Sequence, residues 1–336
     1  MKALVYHGPR QLSIEEQELP KVGSNEALIK VEAVGICGSE LEGYLGQSSV
    51  RIPPLIMGHE CCGTIVQVVG QSDQTSEWSI GDKVVVNPLI TCGSCDRCRR
   101  GNHHLCRRRE LIGIHRPGAF AEYAAVPTIN LFPVPKEMNA SLAALAEPLA
   151  VCIHAVKLGL EPFGDVLIFG AGAIGLLALQ AAMKMGANRV LVVEKQEARM
   201  HHAKSLGADV VLPAQLADRA NDYFPQGFNT IIDCAGVTDT RNQALQIINA
   251  GGKIIMVGLG HEESQVQMSR LVRQEVSIIG SYAYSDADFE QAVQLLVGGQ
   301  IRTKPWTAIR SLTEGPACFQ RLTGGNSDFS KIILIP

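Results

Sequence analysis

Four cysteines, Cys92, Cys95, Cys98 and Cys106, lie in one basic stretch, the first three at C-x-x-C steps and the fourth close behind. Overlapping C-x-x-C steps with a nearby fourth thiol spell a four-thiolate zinc site, because thiolates are soft and a closed tetrahedral cage needs four ligands from a tight turn. Upstream, Cys37 and the triplet Gly58-His59-Glu60 form a second, more dispersed set of zinc-type donors. A closed set beside an open one implies two zinc ions per chain, one for structure and one for chemistry.

A third chemical signal is glycine-rich. The apolar run 166–169 leads straight into Gly170-Ala171-Gly172-Ala173-Ile174-Gly175, and a helical stretch follows to residue 185. This is G-x-G-x-x-G in the strand–turn–helix context that a dinucleotide requires. Gly170 permits the turn, Gly172 lets the backbone approach a pyrophosphate, and Gly175 lets helix pack on strand. The helix N-terminus, at Ala173 and Ile174, then faces the phosphates. The next apolar run, 190–193, ends in Glu194, where an acid grips ribose hydroxyls and repels a 2′-phosphate. NAD is therefore the expected cofactor. Lys195 and Arg199 join the cofactor-binding set and are near enough to weaken the preference over NADP.

These residues need a scaffold. The chain has 336 residues, which predicts two domains, and 46% hydrophobic content, which permits a sizeable core. Short β-like runs punctuated by Gly and Pro (27–34, 63–69, 83–86, 120–126) make residues 1–150 an irregular, mainly β domain. Beyond it, apolar runs at 166–169, 190–193, 210–212, 230–232, 254–257 and 277–279 alternate with helical stretches. Continuous apolar strands separated by helices predict an α/β unit, a six-stranded doubly wound parallel sheet over 151–284. A helix (289–296) and a strand (331–335) follow, and 285–336 is assigned to the first domain. Net charge is −3, against a dominant nucleic-acid or membrane-surface role. No apolar run of the about 18 residues needed to span a bilayer is expected, and the N-terminus reads as a strand rather than a signal peptide. Ten cysteines without a secretory signal favour thiols and metal ligands in a reducing cytoplasm.

The chain resembles the zinc-containing medium-chain alcohol dehydrogenases. The carriers are Cys37-Gly38-Ser39, Gly58-His59-Glu60-Cys61-Cys62-Gly63, Gly81-Asp82-Lys83-Val84, the four-cysteine lobe, Ala146-Glu147-Pro148-Leu149 and the glycine turn, all in the family's order. The run Glu147-Pro148-Leu149-Ala150 is most similar to polyol and threonine dehydrogenases, since ethanol-type enzymes carry a cysteine there. The resemblance implies a GroES-like catalytic domain and a Rossmann domain. It implies that Cys37 and His59 bind catalytic zinc and that Glu60 and Glu147 share the remaining protein position. It also implies that Ser39 passes the substrate proton away, and that Cys92, Cys95, Cys98 and Cys106 hold structural zinc. The implied substrate is a small-molecule secondary alcohol: a polyol, sugar acid, sugar phosphate or hydroxy amino acid. Assembly as a homodimer or homotetramer is expected. Two departures stand out. Glu42 occupies the place where the family often ends its proton relay in a histidine. Tyr282-Ala283-Tyr284 replaces a Phe-Arg-Tyr segment, so a sorbitol-contacting arginine is missing.

Other residues read more plainly. Cys61, Cys62, Cys152, Cys234 and Cys318 are expected to be small buried residues, and His154 to pack on the face of Glu147's helix. His103, His104, His201 and His202 are expected at the surface. His115, in Gly113-Ile114-His115-Arg116-Pro117-Gly118, resembles a substrate-side loop residue. The arginines at 97, 99, 100, 107, 108 and 109 read as a solvated lobe. The loop at 70–80 is slightly long. The rival readings are a zinc-ribbon nucleotide sensor without dehydrogenase activity and an NADP-dependent reductase of the same superfamily.

Overall fold

The computed structural model describes residues 1–70, 78–325 and 328–336, so the long loop at 70–80 lies largely outside the described residues. The chain is α/β and forms two compact units, Met1–Glu147 with Ser285–Pro336, and Pro148–Tyr284.

The first unit is mainly β. Its largest sheet runs, edge to edge, through Leu131–Pro133, Lys83–Val86, Glu60–Val69, Glu26–Gly35, Lys331–Ile335 and Thr307–Ser311, with Tyr123–Pro127 also pairing on Glu26–Gly35. Leu4, Ile29, Val31, Ile65, Phe120, Phe319 and Leu334 share one core. Two registers matter for chemistry. Gly35 pairs with Glu60 on one side and with Ile333 on the other. The strand expected at 63–69 begins at Glu60, so Glu60 is held by a sheet rather than by a loop. The strand expected at 120–126 lies at Tyr123–Pro127.

The second unit holds six parallel strands, β1 (Val166–Phe169), β2 (Val190–Val193), β3 (Asp209–Val211), β4 (Phe228–Asp233), β5 (Ile248–Met256) and β6 (Ser277–Gly280). Their order is 3-2-1-4-5-6, the doubly wound arrangement whose switch point lies between β1 and β4. Every residue of β1 and β2 is buried, as expected for strands covered on both faces.

Three expectations need correction. His104 and His202 are buried, with 7% and 6% exposure. His202 follows the exposed His201 on the helix Glu197–Ser205, and consecutive helical residues face different ways; His104 turns inward in the short turn between Cys98 and Cys106. Cys234 is only partly buried. The stretch Ala140–Gly159 is long and apolar enough to span a bilayer, yet 72% of its most apolar 18-residue window is buried inside the protein. It is read as a core segment.

Gly175 has a packing role with a measurable consequence. A Cβ there would sit 1.9 Å from the Gly170 carbonyl oxygen, which is backbone and cannot swing aside. Gly175→Ala is therefore expected to destabilise the protein by about 1–3 kcal/mol and to weaken binding of the expected dinucleotide roughly tenfold. Thermal unfolding and NADH fluorescence titration check this; unchanged NADH affinity would refute it.

Candidate functional site

The open donor set is organised by a helix start. Helix α1 (Gly38–Tyr44) begins immediately after Cys37. The carboxylate of Glu40, in its first turn, reaches back to accept the Cys37 backbone N–H at 3.0 Å. The same fully buried carboxylate accepts the Gly58 N–H at 2.8 Å and faces His59 Nδ1 at 2.9 Å. Donation from Nδ1 leaves the His59 Nε2 lone pair free for a metal. Burial alone would raise the Glu40 pKa, but His59, Arg51 and the Cys37 N–H bring it below the ordinary value. Burial would likewise lower the His59 pKa, yet Glu40 and Cys37 raise it well above the ordinary value. The cluster thus attracts positive charge, and a divalent cation is the natural occupant.

Cys37, His59 and Glu60 place their donor atoms within 4.8 Å of one another. Glu60 is fully buried and pairs with Lys331, itself 3% exposed. Burial would depress the Lys331 pKa, but Glu60 and Cys37 hold it up. Glu60 Oε1 has no hydrogen-bond donor among the described residues, and an orphaned buried carboxylate oxygen fits a metal ion. Gly35 makes room for it, since a Cβ at Gly35 would stand 2.1 Å from Glu60 Oε2. Ser39 lies alongside, its hydroxyl 3.5 Å from Cys37 Sγ, and accepts a hydrogen bond from Arg51 Nη2 at 3.0 Å.

The closed set fits zinc on geometry. A tetrahedron with Zn–S bonds of about 2.3 Å has edges of roughly 3.8 Å. The sulfur separations are 3.4 Å for Cys92–Cys106, 3.5 Å for Cys95–Cys98, 3.9 Å for Cys92–Cys98 and 4.0 Å for Cys95–Cys106. These are cage edges rather than thiol hydrogen bonds. Backbone N–H groups of Ser94 and Cys95 bring the Cys92 thiol down to about 5, and those of Cys98 and Arg107 lower Cys95. Burial pushes Cys98 up to about 12; a central dication would deprotonate it outright. Around the cage, Arg107 forks onto Asp96 at 2.7 and 3.2 Å, and Arg108 donates to Ser94 at 2.9 Å. These arginines serve their own lobe.

In the second unit, Gly170 has φ +91°, a value that favours glycine. A Cβ at Gly172 would meet nothing within 4 Å, so the backbone there is open to a ligand. Helix α3 (Ala173–Lys184) follows; α2 is Ala146–Gly159. Glu194, at the end of β2, accepts from Ala171 N at 2.8 Å, Lys195 N at 2.7 Å and Gln196 N at 2.9 Å. Its carboxylate therefore fastens the glycine turn to the neighbouring strand. Gly172, Glu194, Lys195, Arg199 and Thr240 line one pocket.

Other expected residues lie elsewhere. Glu147 is half-buried in the first turn of α2, outside the three-donor cluster. Glu42 is half-buried, and burial raises its pKa against the pull of Arg51. His115 accepts a hydrogen bond from Leu111 N and lines a groove with His7, Glu15, Pro53 and Pro54 that contains none of the donors. Its loop nonetheless braces the site, because Ala119 N donates to Gly58 O at 2.8 Å. Sequence reasoning missed Glu40, Arg51 and Lys331. Glu40 alone had a local signal, an acid three residues after a helix-capping position.

Residues 23–136 match the alcohol dehydrogenase GroES-like domain, and residues 173–298 match the zinc-binding dehydrogenase domain. The chain is 31% identical to a sorbitol dehydrogenase of Bacillus subtilis (strain 168), over 100% of this chain and 97% of that one. It is 32% identical to an L-threonine 3-dehydrogenase of Pseudoalteromonas atlantica, over 87% of each. The solved structure of a zinc-binding dehydrogenase from Sinorhizobium meliloti 1021, bound to NADP, is 31% identical with a TM-score of 0.90 and covers 100% of this chain and 99% of that one. Zinc and a nicotinamide cofactor follow from this kinship, and the sensor reading is not favoured.

A closed thiolate cage adds its metal-binding free energy to folding. Cys95→Ser, or prolonged treatment with a strong chelator, should lower the melting temperature markedly, with the two treatments not adding. A chelator effect undiminished in Cys95→Ser would place the stabilising metal elsewhere.

Proposed function

We propose that this chain, which belongs to the zinc-containing medium-chain alcohol dehydrogenase family, oxidises a secondary alcohol flanked by a second oxygen or nitrogen group, with NAD as acceptor. The observation that carries the reading is the cluster of Cys37, His59 and Glu60, with an orphaned Glu60 oxygen and the Ser39 hydroxyl beside it. Cys37, His59 and Glu60 would hold one zinc, with Glu147 as the exchanging carboxylate, and Cys92, Cys95, Cys98 and Cys106 a second. When bound, zinc would supply Lewis acidity toward the substrate oxygen, and the nicotinamide ring would supply the hydride acceptor.

The chain's own residues do the rest. Glu40 fixes the imidazole so that Nε2 faces the metal position. Lys331 gives the buried Glu60 carboxylate a cationic partner in a dry setting. Ser39 has one lone pair committed to Arg51 and one left to receive the substrate hydroxyl proton. Glu194 presents a negative charge beside the glycine turn and disfavours a 2′-phosphate. Lys195 and Arg199 oppose it from the same pocket, and we give the carboxylate the larger weight. A hard, mobile carboxylate at 147 suits a substrate that binds through two adjacent heteroatoms.

Two features support the remaining expectations. None of the ten cysteines is joined in a disulfide, and a four-thiolate zinc cage needs its thiols kept reduced, so a reducing cytoplasm is proposed. Strand β6 is a sheet edge and exposes Ile278, with Val272 and Tyr282 also exposed. An apolar open edge invites pairing with a second copy, so a homodimer through β6 is proposed.

Fresh protein should contain two zinc ions per chain. Cys37→Ser should lose one of them and nearly all activity while keeping its fold. Glu147→Ala should lower turnover roughly a hundredfold or more and leave NADH affinity nearly intact. The tests are elemental analysis and initial rates with vicinal diols, hydroxy acids and simple alcohols under NAD and NADP. Efficient ethanol or butanol oxidation, or equal rates with NADP, would overturn the corresponding part.

A further inference from the structure

Arg51 is a buried cation with too few partners. It is 6% exposed, and its one hydrogen bond among the described residues is to Ser39 Oγ. A guanidinium carries five N–H donors, yet Arg51 Nε is buried without an acceptor, and no ion pair joins Arg51 to a carboxylate among the described residues. Each nearby acid is occupied or out of reach. Glu40 spends its oxygens on Cys37 N, Gly58 N and His59. Glu42 feels the charge of Arg51 but makes no ion pair with it. Tyr6 donates its hydroxyl to Gly43 O.

Packing leaves room for the arginine stem. A Cβ at Gly43 would sit 2.5 Å from Arg51 Cδ, so the helix leaves a glycine-wide lane for the arginine stem. Holding Ser39 needs only one N–H, which a neutral amide supplies at lower desolvation cost. An unpaired buried charge is expensive, and the surplus donors call for an anion.

Resting on the dehydrogenase reading above, we propose that Arg51 is a specificity-determining carboxylate subsite, so that the substrate is a hydroxy acid or hydroxy amino acid. Distance sets the spacing. Arg51 Nη2 lies 3.0 Å from Ser39 Oγ, and Ser39 must come within about 2.7 Å of the reacting oxygen. Arg51 is then within roughly 6 Å of that oxygen, and its anion must sit one or two carbons from the carbinol carbon. A planar carboxylate matches the guanidinium fork. A phosphate at the far end of a sugar chain would lie beyond this reach.

The test uses zinc-replete enzyme and matched compounds: threonine, 2,3-dihydroxybutanoate and gluconate, each with its carboxamide, plus 2,3-butanediol and sorbitol. Wild type should favour the best acid over its amide about tenfold or more in kcat/KM. Arg51→Gln, which keeps a donor for Ser39, should lose about a hundredfold on the acid, mostly in KM, and about threefold or less on the amide. Arg51→Lys should fall between, and carries the test if the Gln variant fails to fold. Calorimetric titration of the enzyme–NADH complex with the deoxy acid of the best substrate gives a readout without turnover; its binding should disappear in Arg51→Gln.

Equal losses on acid and amide would reduce Arg51 to a positioning residue for Ser39 and overturn the proposal. Loss of NADH affinity with an unchanged acid-to-amide ratio would assign the anion to the cofactor and overturn it as well. If no compound of the panel is oxidised with either nicotinamide cofactor, the dehydrogenase reading falls first, and this subsite with it.

Discussion

The open metal site depends on one buried carboxylate. Glu40 joins the start of a helix at Cys37 to the turn at Gly58 and His59, with three donors converging on its two oxygens. Hydrogen bonds to a charged group contribute about 1.5–3 kcal/mol each, enough together to offset the burial of one carboxylate. Because the charge is retained, the imbalance is local and directional. It fixes the histidine's tautomer, sets the cysteine's backbone, and leaves a concentration of negative charge where a cation belongs. Removing Glu40 would disturb two ligands at once, although it touches no metal position itself.

The two thiol-bearing sites solve opposite problems. The four-cysteine lobe is self-contained: its sulfurs stand at cage spacing, backbone amides point at them, and flanking arginines neutralise local acids. Nothing is left over for a substrate. The open set draws its parts from three separated segments and retains unsatisfied atoms, Glu60 Oε1 and Arg51 Nε. Such atoms are uncommon in native proteins, and those at the open set lie beside the metal-type donors, where a ligand would complete the network.

Much of this was legible from the chain. The glycine turn, the six parallel strands and both donor sets are local patterns, written in spacing or apolar runs. Those runs were also placed closely; 166–169, 190–193 and 83–86 coincide with observed strands. Glu40, Arg51 and Lys331 were not read, and the reason differs for each. Glu40 carries a capping signature, but a cap alone does not say that its carboxylate also reaches a second segment at Gly58 and His59. Arg51 sits in a loop whose return to Ser39 no periodicity announces. Lys331 reaches Glu60 only because the last strand pairs with Glu26–Gly35. The histidines at 104 and 202 show the converse, since a polar side chain can be buried when its place on a turn or helix faces inward. Glu194 illustrates a third kind: its charge was recognised, but not its service as a clasp for the glycine turn.

The partnership of Glu60 with Lys331 has a consequence for the order of folding. The two residues lie far apart along the chain, and they meet through the pairing of Lys331–Ile335 with Glu26–Gly35. Until that pairing forms, Glu60 is a carboxylate destined for a dry interior without the cation that accompanies it there. Burying it alone would be strongly unfavourable, so closure of the sheet around Glu60 is coupled to the arrival of a distant strand. The open donor set is thus completed by a long-range contact, the kind that forms slowly because its loop-closure cost comes first, whereas the four-cysteine lobe can close on its own.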